Sequence, residues 1–158
     1  MAFQILVLVH VVSSLIWGAG AILSGFFLIP AMLEAGQAGG EVMGGMMKRG
    51  YSPFLGISAV LALISGLSLY YLRFSPAWLG SSEGIVLSLG GLLGLSAWFI
   101  GLTRVRPLGE KMGLLAQEGR HKEIPPVAAQ LARSGKVVAW HLVAVLVLMA
   151  GHGVASLF

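Results

Sequence analysis

"LVHVVSSLIWGAGA", Leu8 to Ala21, is apolar enough for lipid and yet carries a histidine and two serines. Read outward in both directions, the stretch belongs to a run from Phe3 to Met32 that holds no charged residue. About 20 apolar residues suffice to cross a bilayer, so the run predicts a transmembrane helix that tilts or projects beyond the lipid. Comparable runs follow at Pro53–Leu72, Gly84–Thr103 and Val137–Leu157. Lipid tolerates no open backbone, and four segments cannot close a barrel. The expected fold is an all-α integral membrane protein, a four-transmembrane-helix bundle forming a single domain over residues 1–158.

Composition agrees. Of the 158 residues, 57% are hydrophobic and 10% charged, and the mean hydropathy is +0.90; a soluble domain carries roughly 25% charged residues. The absence of cysteine excludes disulfides, thiolate metal sites and c-type haem attachment. The N-terminal run has no basic region ahead of it and reads as a first span, not a signal peptide. The sequence pI of about 9.9 reflects loop lysines and arginines and implies no nucleic-acid partner.

Those loop charges orient the chain. Lys48 and Arg49 follow the first span, and Arg104, Arg106, Lys111, Arg120, Lys122, Arg133 and Lys136 lie between the third and fourth. Only Arg73 falls on the other side. The positive-inside rule makes the basic side cytoplasmic and puts both termini outside, as in a bacterial-type inner (cytoplasmic) membrane. Tyr70, Tyr71 and Trp78 then sit at the outer interface.

The connections differ in character. "EAGQAGGEVMGGMMKRG", Glu34 to Gly50, is glycine-rich and expected to be irregular. "SPAWLGSSEG", Ser75 to Gly84, is a short outer turn in which Ser81 or Ser82 caps the third helix, with Glu83 in its first turn. In "RPLGEKMGLLAQEGRHKE", Leu108, Met112 and Leu115 recur at helical spacing. "IPPVAAQLARSGK" restarts a helix with proline in its first turn. Cytoplasmic helical extensions between helices 3 and 4 are therefore expected.

Small residues recur along the spans: Ser14, Gly18, Ala21 and Gly25 in the first; Gly84, Ser88, Gly91 and the pair Gly90–Gly94 in the third. They permit close helix packing or leave room for a flat ring system. The third helix, the least polar, is expected to serve packing or dimer contacts.

Of the four histidines, His121 lies in a charged loop and is expected to be solvated. His10, His141 and His152 lie within spans, where ionisable groups are costly and usually functional. Eleven residues separate His141 from His152, which at about 100° per residue returns them to nearly one face, about 16 Å apart. Four spans bring His10 and His152 to similar depths near the outer side. If the first and last helices are neighbours, the two imidazoles can hold haem b, one on each side of the iron. Ser14 and Gly18 would give the porphyrin room, with Trp17 and Trp140 close by. His141 is a substitute ligand or part of a second site. Alternatively, each histidine forms a hydrogen bond across the bundle. Met43, Met46 and Met47 offer a competing constellation, since thioethers favour Cu(I).

His10, six intervening residues, Trp17 and "GAG" resemble the first helix of two small membrane families, HemJ and the CopD-like copper-resistance domain with its uncharacterised relatives. "KRGYSPFLGISAVLALISGLSLY", Lys48 to Tyr70, resembles their second helix, and "RVRPLGEKMGLLAQEG", Arg104 to Gly119, the basic linker of the CopD-like relatives. The resemblance implies a four-helix bundle and, through HemJ, a haem role for His10. HemJ opens its third helix with Trp-Leu-His-x-Lys, where this chain reads "SSEGIVLSLGG", so porphyrinogen oxidation is not carried over.

The expected function is a b-type haem protein of the membrane in electron transfer or small-molecule redox chemistry, with a quinone or other redox partner. Whether it is itself an oxidoreductase stays open. Copper handling and a non-catalytic accessory role, in a homodimer or larger membrane complex, are the alternatives.

Overall fold

A computed structural model describes the backbone of residues 1–155 and the side chains of residues 1–151. Among these the chain is all helical, with no strand. Four helical stretches are long and apolar enough to cross a membrane: Ala2–Glu34, Tyr51–Arg73, Ser82–Gln117 and His121–Gly151. They are called here the first to fourth helices.

The first and third helices are each interrupted by one π turn. In the first, α1 (Ala2–Leu23) passes through Ser24–Leu28 into α2 (Ile29–Glu34). The cause lies in Pro30, which has no N–H to give and whose ring crowds the carbonyl four residues back. That carbonyl, Phe26, lies inside the widened turn, and Ile29 bonds five residues back to Ser24. The third helix repeats the device around Pro107: Thr103 lies in the π turn Gly101–Val105, and Arg106 bonds back to Gly101.

Between the first and second helices, the glycine-rich stretch expected to be irregular forms a further helix, α3 (Gln37–Lys48). Glycine is a poor helix former, but Gly39 is buried against the backbone of Met32 where any side chain would collide. Close packing thus explains the glycine and outweighs its propensity. Gly50, at φ 83°, then turns the chain into α4 (Tyr51–Arg73).

The turn between the second and third helices carries a short helix, α5 (Pro76–Leu79), capped by Ser75 accepting from the Trp78 N–H at 3.1 Å. Of the two candidate caps for α6 (Ser82–Ile100), Ser81 serves, accepting from the Gly84 N–H at 3.1 Å. Arg73 and Glu83 form an ion pair across this turn. Tyr70 and Ser88 share a hydrogen bond of 2.8 Å between the second and third helices.

Beyond the second π turn, α7 (Arg106–Gln117) continues the third helix, and the chain returns through His121–Glu123 into α8 (Ile124–Ala155). A helix of 36 residues is about 54 Å long, well beyond a hydrocarbon core of about 30 Å. The excess pairs with the start of α8, and Leu115, Val127, Ala128 and Leu131 are buried between them. The two stretches form a helical hairpin between the third and fourth helices. Its tip is clipped by Arg120, whose Nε and Nη2 donate to Glu123 at 2.7 Å and whose Nη1 donates to Glu118 at 2.9 Å. Glu123 first, then Glu118, holds the guanidinium above its already high ordinary pKa, so the clip keeps its cation at any working pH.

The first helix packs against the second and fourth, and the third against the fourth. The second and third helices touch much less. The centre contains Ala97, Val138 and Leu142, with Trp17, Ala21, Ile22 and Ile100 around them. Small residues make most other close approaches, as packing without a hydrophobic drive requires. Gly25 lies against Gly135 and Ala139, and Gly90 lies against Met149. Large apolar side chains such as Leu8, Phe27, Ile57 and Leu92 point outward.

Candidate functional site

His10 sits on α1 and turns toward the second helix. Its Nδ1 lies 2.9 Å from the Ala62 carbonyl oxygen and 3.3 Å from Ser65 Oγ. A carbonyl only accepts, so in this bond Nδ1 carries the proton and Nε2 keeps a lone pair. Ser65, 3% exposed, directs its own hydroxyl to Leu61 and Ala62 carbonyls of its helix. The imidazole rests on Gly66: a Cβ there would lie 2.8 Å from Cε1. The pocket for the ring is thus a missing side chain on the neighbouring helix. Ala62, Ser65 and Gly66 were not singled out in the sequence, although Ser58, Ala59, Ala62 and Ser65 mark a small-residue stripe like those of the other helices.

His141 repeats this hydrogen-bond pattern within its own helix. Its Nδ1 lies 2.8 Å from the Val137 carbonyl, so its Nε2 also keeps a lone pair. Metal-binding histidines commonly donate the second ring nitrogen to a carbonyl in this way, which fixes tautomer and orientation.

The two do not share a site. Gly18 meets Leu146, Gly25 meets Ala139 and Ile29 meets Gly135, so the first and fourth helices run antiparallel with a constant register. In that register His141 is level with Leu23, 13 residues inward of His10, which is about 20 Å. Carried outward instead, the register brings His10 level with residue 154, two residues from His152. His152 falls within α8, and its side chain lies outside the described residues.

The remaining candidates are dispersed. Ser14 is half-buried on α1, and the buried serine beside it is Ser13, which donates to the Val9 carbonyl at 2.6 Å. The bare face of Gly18 is covered by Leu146 at 3.6 Å from a built Cβ. Trp17 packs on Ala97, Val138 and Leu142, inward of His10. Trp140 is 63% exposed and meets Phe26 edge-on, with 5.2 Å between ring centroids. Met43, Met46 and Met47 lie on α3, and His121 is exposed in the hairpin turn. Among the described residues no group of three or more His, Cys, Asp or Glu side chains is placed to hold a metal ion.

The chain matches no family model, and no curated protein or solved structure resembles it significantly.

Proposed function

We propose that this bundle is a b-type haem protein of the membrane, in electron transfer or small-molecule redox chemistry, with His10 as one axial ligand and His152 as the other. The observation that carries the reading is the Nδ1 bond from His10 to the Ala62 carbonyl, which leaves Nε2 free to coordinate. A neutral imidazole nitrogen is a donor that haem iron takes. Ser65 and Gly66 position the ring, the first by a hydrogen bond and the second by yielding space. A bound haem would supply a one-electron couple in a bundle that holds no cysteine. The likeness of His10, Trp17 and the following glycines to HemJ points the same way.

The test is the absorption spectrum of the purified protein. A Soret band with sharp α and β bands is expected in the reduced form, the signature of two nitrogen ligands. A colourless protein retaining no iron overturns the reading. With copper bound it would leave copper handling, and with neither metal the accessory role, in which the same His10–Ala62 bond only ties two helices together.

The proposed setting is a bacterial-type inner membrane with the helical hairpin inside and both termini outside, on the distribution of lysine and arginine. The cysteine-free chain suits single-cysteine labelling. An impermeant maleimide should label Ala77→Cys in intact cells and Lys122→Cys only after lysis. The opposite pattern reverses the topology.

A further inference from the structure

The surface of the second helix offers a different kind of site. A shallow depression lies at its start between Met46, Arg49, Tyr51 and Phe54. A second, almost wholly apolar, follows along the same helix past Gly56 to Leu61. Phe54, Ile57 and Leu61 recur at three and four residues, so Ile57 and Leu61 at the edge of the second depression follow on from Phe54 of the first. Together they run from a cation to an apolar trough, and the ten residues of helix from Tyr51 to Leu61 span about 15 Å.

Each feature has a reason to be there. Arg73, Arg106 and Arg120 hold carboxylates of the same chain, whereas Arg49, like Arg104 and Arg133, has no such partner among the described residues. Its guanidinium lies back over Gly45, with Nη1 3.8 Å from a Cβ built there. Lys48 precedes it and is exposed. The Tyr51 hydroxyl is engaged by Ser24 and by the Gly20 carbonyl, so its ring forms a fixed wall. Gly56 has nothing within 4 Å of where a side chain would begin, and its bare backbone deepens the trough. Phe54 and Ile57 stand 56% and 62% exposed at its side.

We propose that this groove holds one anionic phospholipid, with its phosphate on Arg49 and an acyl chain along Gly56 and Ile57. A cation at the helix end with an apolar trough parallel to the helix matches a molecule whose charge and chain are joined end to end. A zwitterionic headgroup would bring its own cation against Arg49 and Lys48. The proposal is independent of any haem.

Native mass spectrometry of the intact detergent-purified protein tests it, with phosphatidylglycerol and phosphatidylcholine of identical chains added in equal amounts. Wild type should retain a single phosphatidylglycerol about fivefold better, the ratio given by ~1 kcal/mol per basic residue near an anionic lipid. Arg49→Gln should bring the ratio close to one. Gly56→Leu should weaken retention of both lipids, and Gly91→Leu, at an exposed glycine of the third helix with open space around it, should change neither. Inorganic phosphate should leave the bound lipid in place. Equal retention of the two lipids by wild type overturns the proposal without needing any variant to fold. So does an unchanged preference in Arg49→Gln, undiminished retention in Gly56→Leu, or displacement of the lipid by phosphate, which would mark a site for a free anion.

Discussion

Purified His10→Ala protein should lose its Soret and α bands while its helical circular dichroism stays at the wild-type level. The alanine removes the proposed axial nitrogen and one hydrogen bond to the second helix. A membrane interhelical hydrogen bond is worth only about 0.6 kcal/mol on average, so the bundle should survive the loss and the cofactor should not. Gly66→Ala sharpens the test because it leaves the imidazole in place. Its methyl group would sit 2.8 Å from Cε1 and push the ring from its seat. Disturbing the orientation of a metal-bound histidine costs roughly 10–100-fold in affinity, so haem retention should fall by that order and the remaining spectrum should shift. His121→Ala, in the exposed turn, should have no effect. If His10→Ala keeps both haem content and spectrum, the axial role is wrong and the histidine is a fastening between helices.

The second large effect concerns stability. Gly25→Leu should fail to give a folded, monodisperse protein, or give one with a strongly lowered melting temperature in detergent. Even a Cβ at this position would lie 2.8 Å from the carbonyl carbon of Gly135 and 2.9 Å from the Ala139 methyl. The obstacle is largely backbone, which cannot turn aside as a flexible side chain can. Overpacking a close contact typically costs about 1–3 kcal/mol, and a leucine here forces apart the first and fourth helices at their crossing. Gly91→Leu serves as the matched control and should melt like wild type. Equal melting of the two variants would contradict the helix contact itself.

How far these features could be read from the amino acids varies with their physical origin. The spans, the helical hairpin and the Ser81 cap rest on length, periodicity and a local hydrogen bond, and all are visible over a few neighbouring residues. The helix at Gln37–Lys48 was not visible, because Gly39 is there for its contact with Met32, a relation that propensity ignores. The partner of His10 was hidden for a geometric reason. His10, Ser14 and Gly18 look like one stripe, but each step of four residues advances about 40° around the helix. Over two steps the face drifts by about 80°, enough to turn His10 toward the second helix and Gly18 toward the fourth. A periodic pattern identifies a helix readily, and it does not say which of two neighbours a given residue meets.

The π turns before Pro30 and Pro107 carry a consequence for how the chain tolerates changes in length. Each is in effect a single supernumerary residue held in an otherwise regular helix, the customary form of such a turn. Deleting one residue from Ser24–Leu28 or Gly101–Val105 would let that turn rewind as regular α-helix and leave everything beyond it facing nearly the same way, because a π turn spends one more residue than an α turn on about the same rotation. The Leu115 side of α7, now buried on α8, would stay turned toward it. The two turns thus act as a reserve of length: a three-nucleotide deletion within their coding sequence is absorbed without redirecting the hairpin.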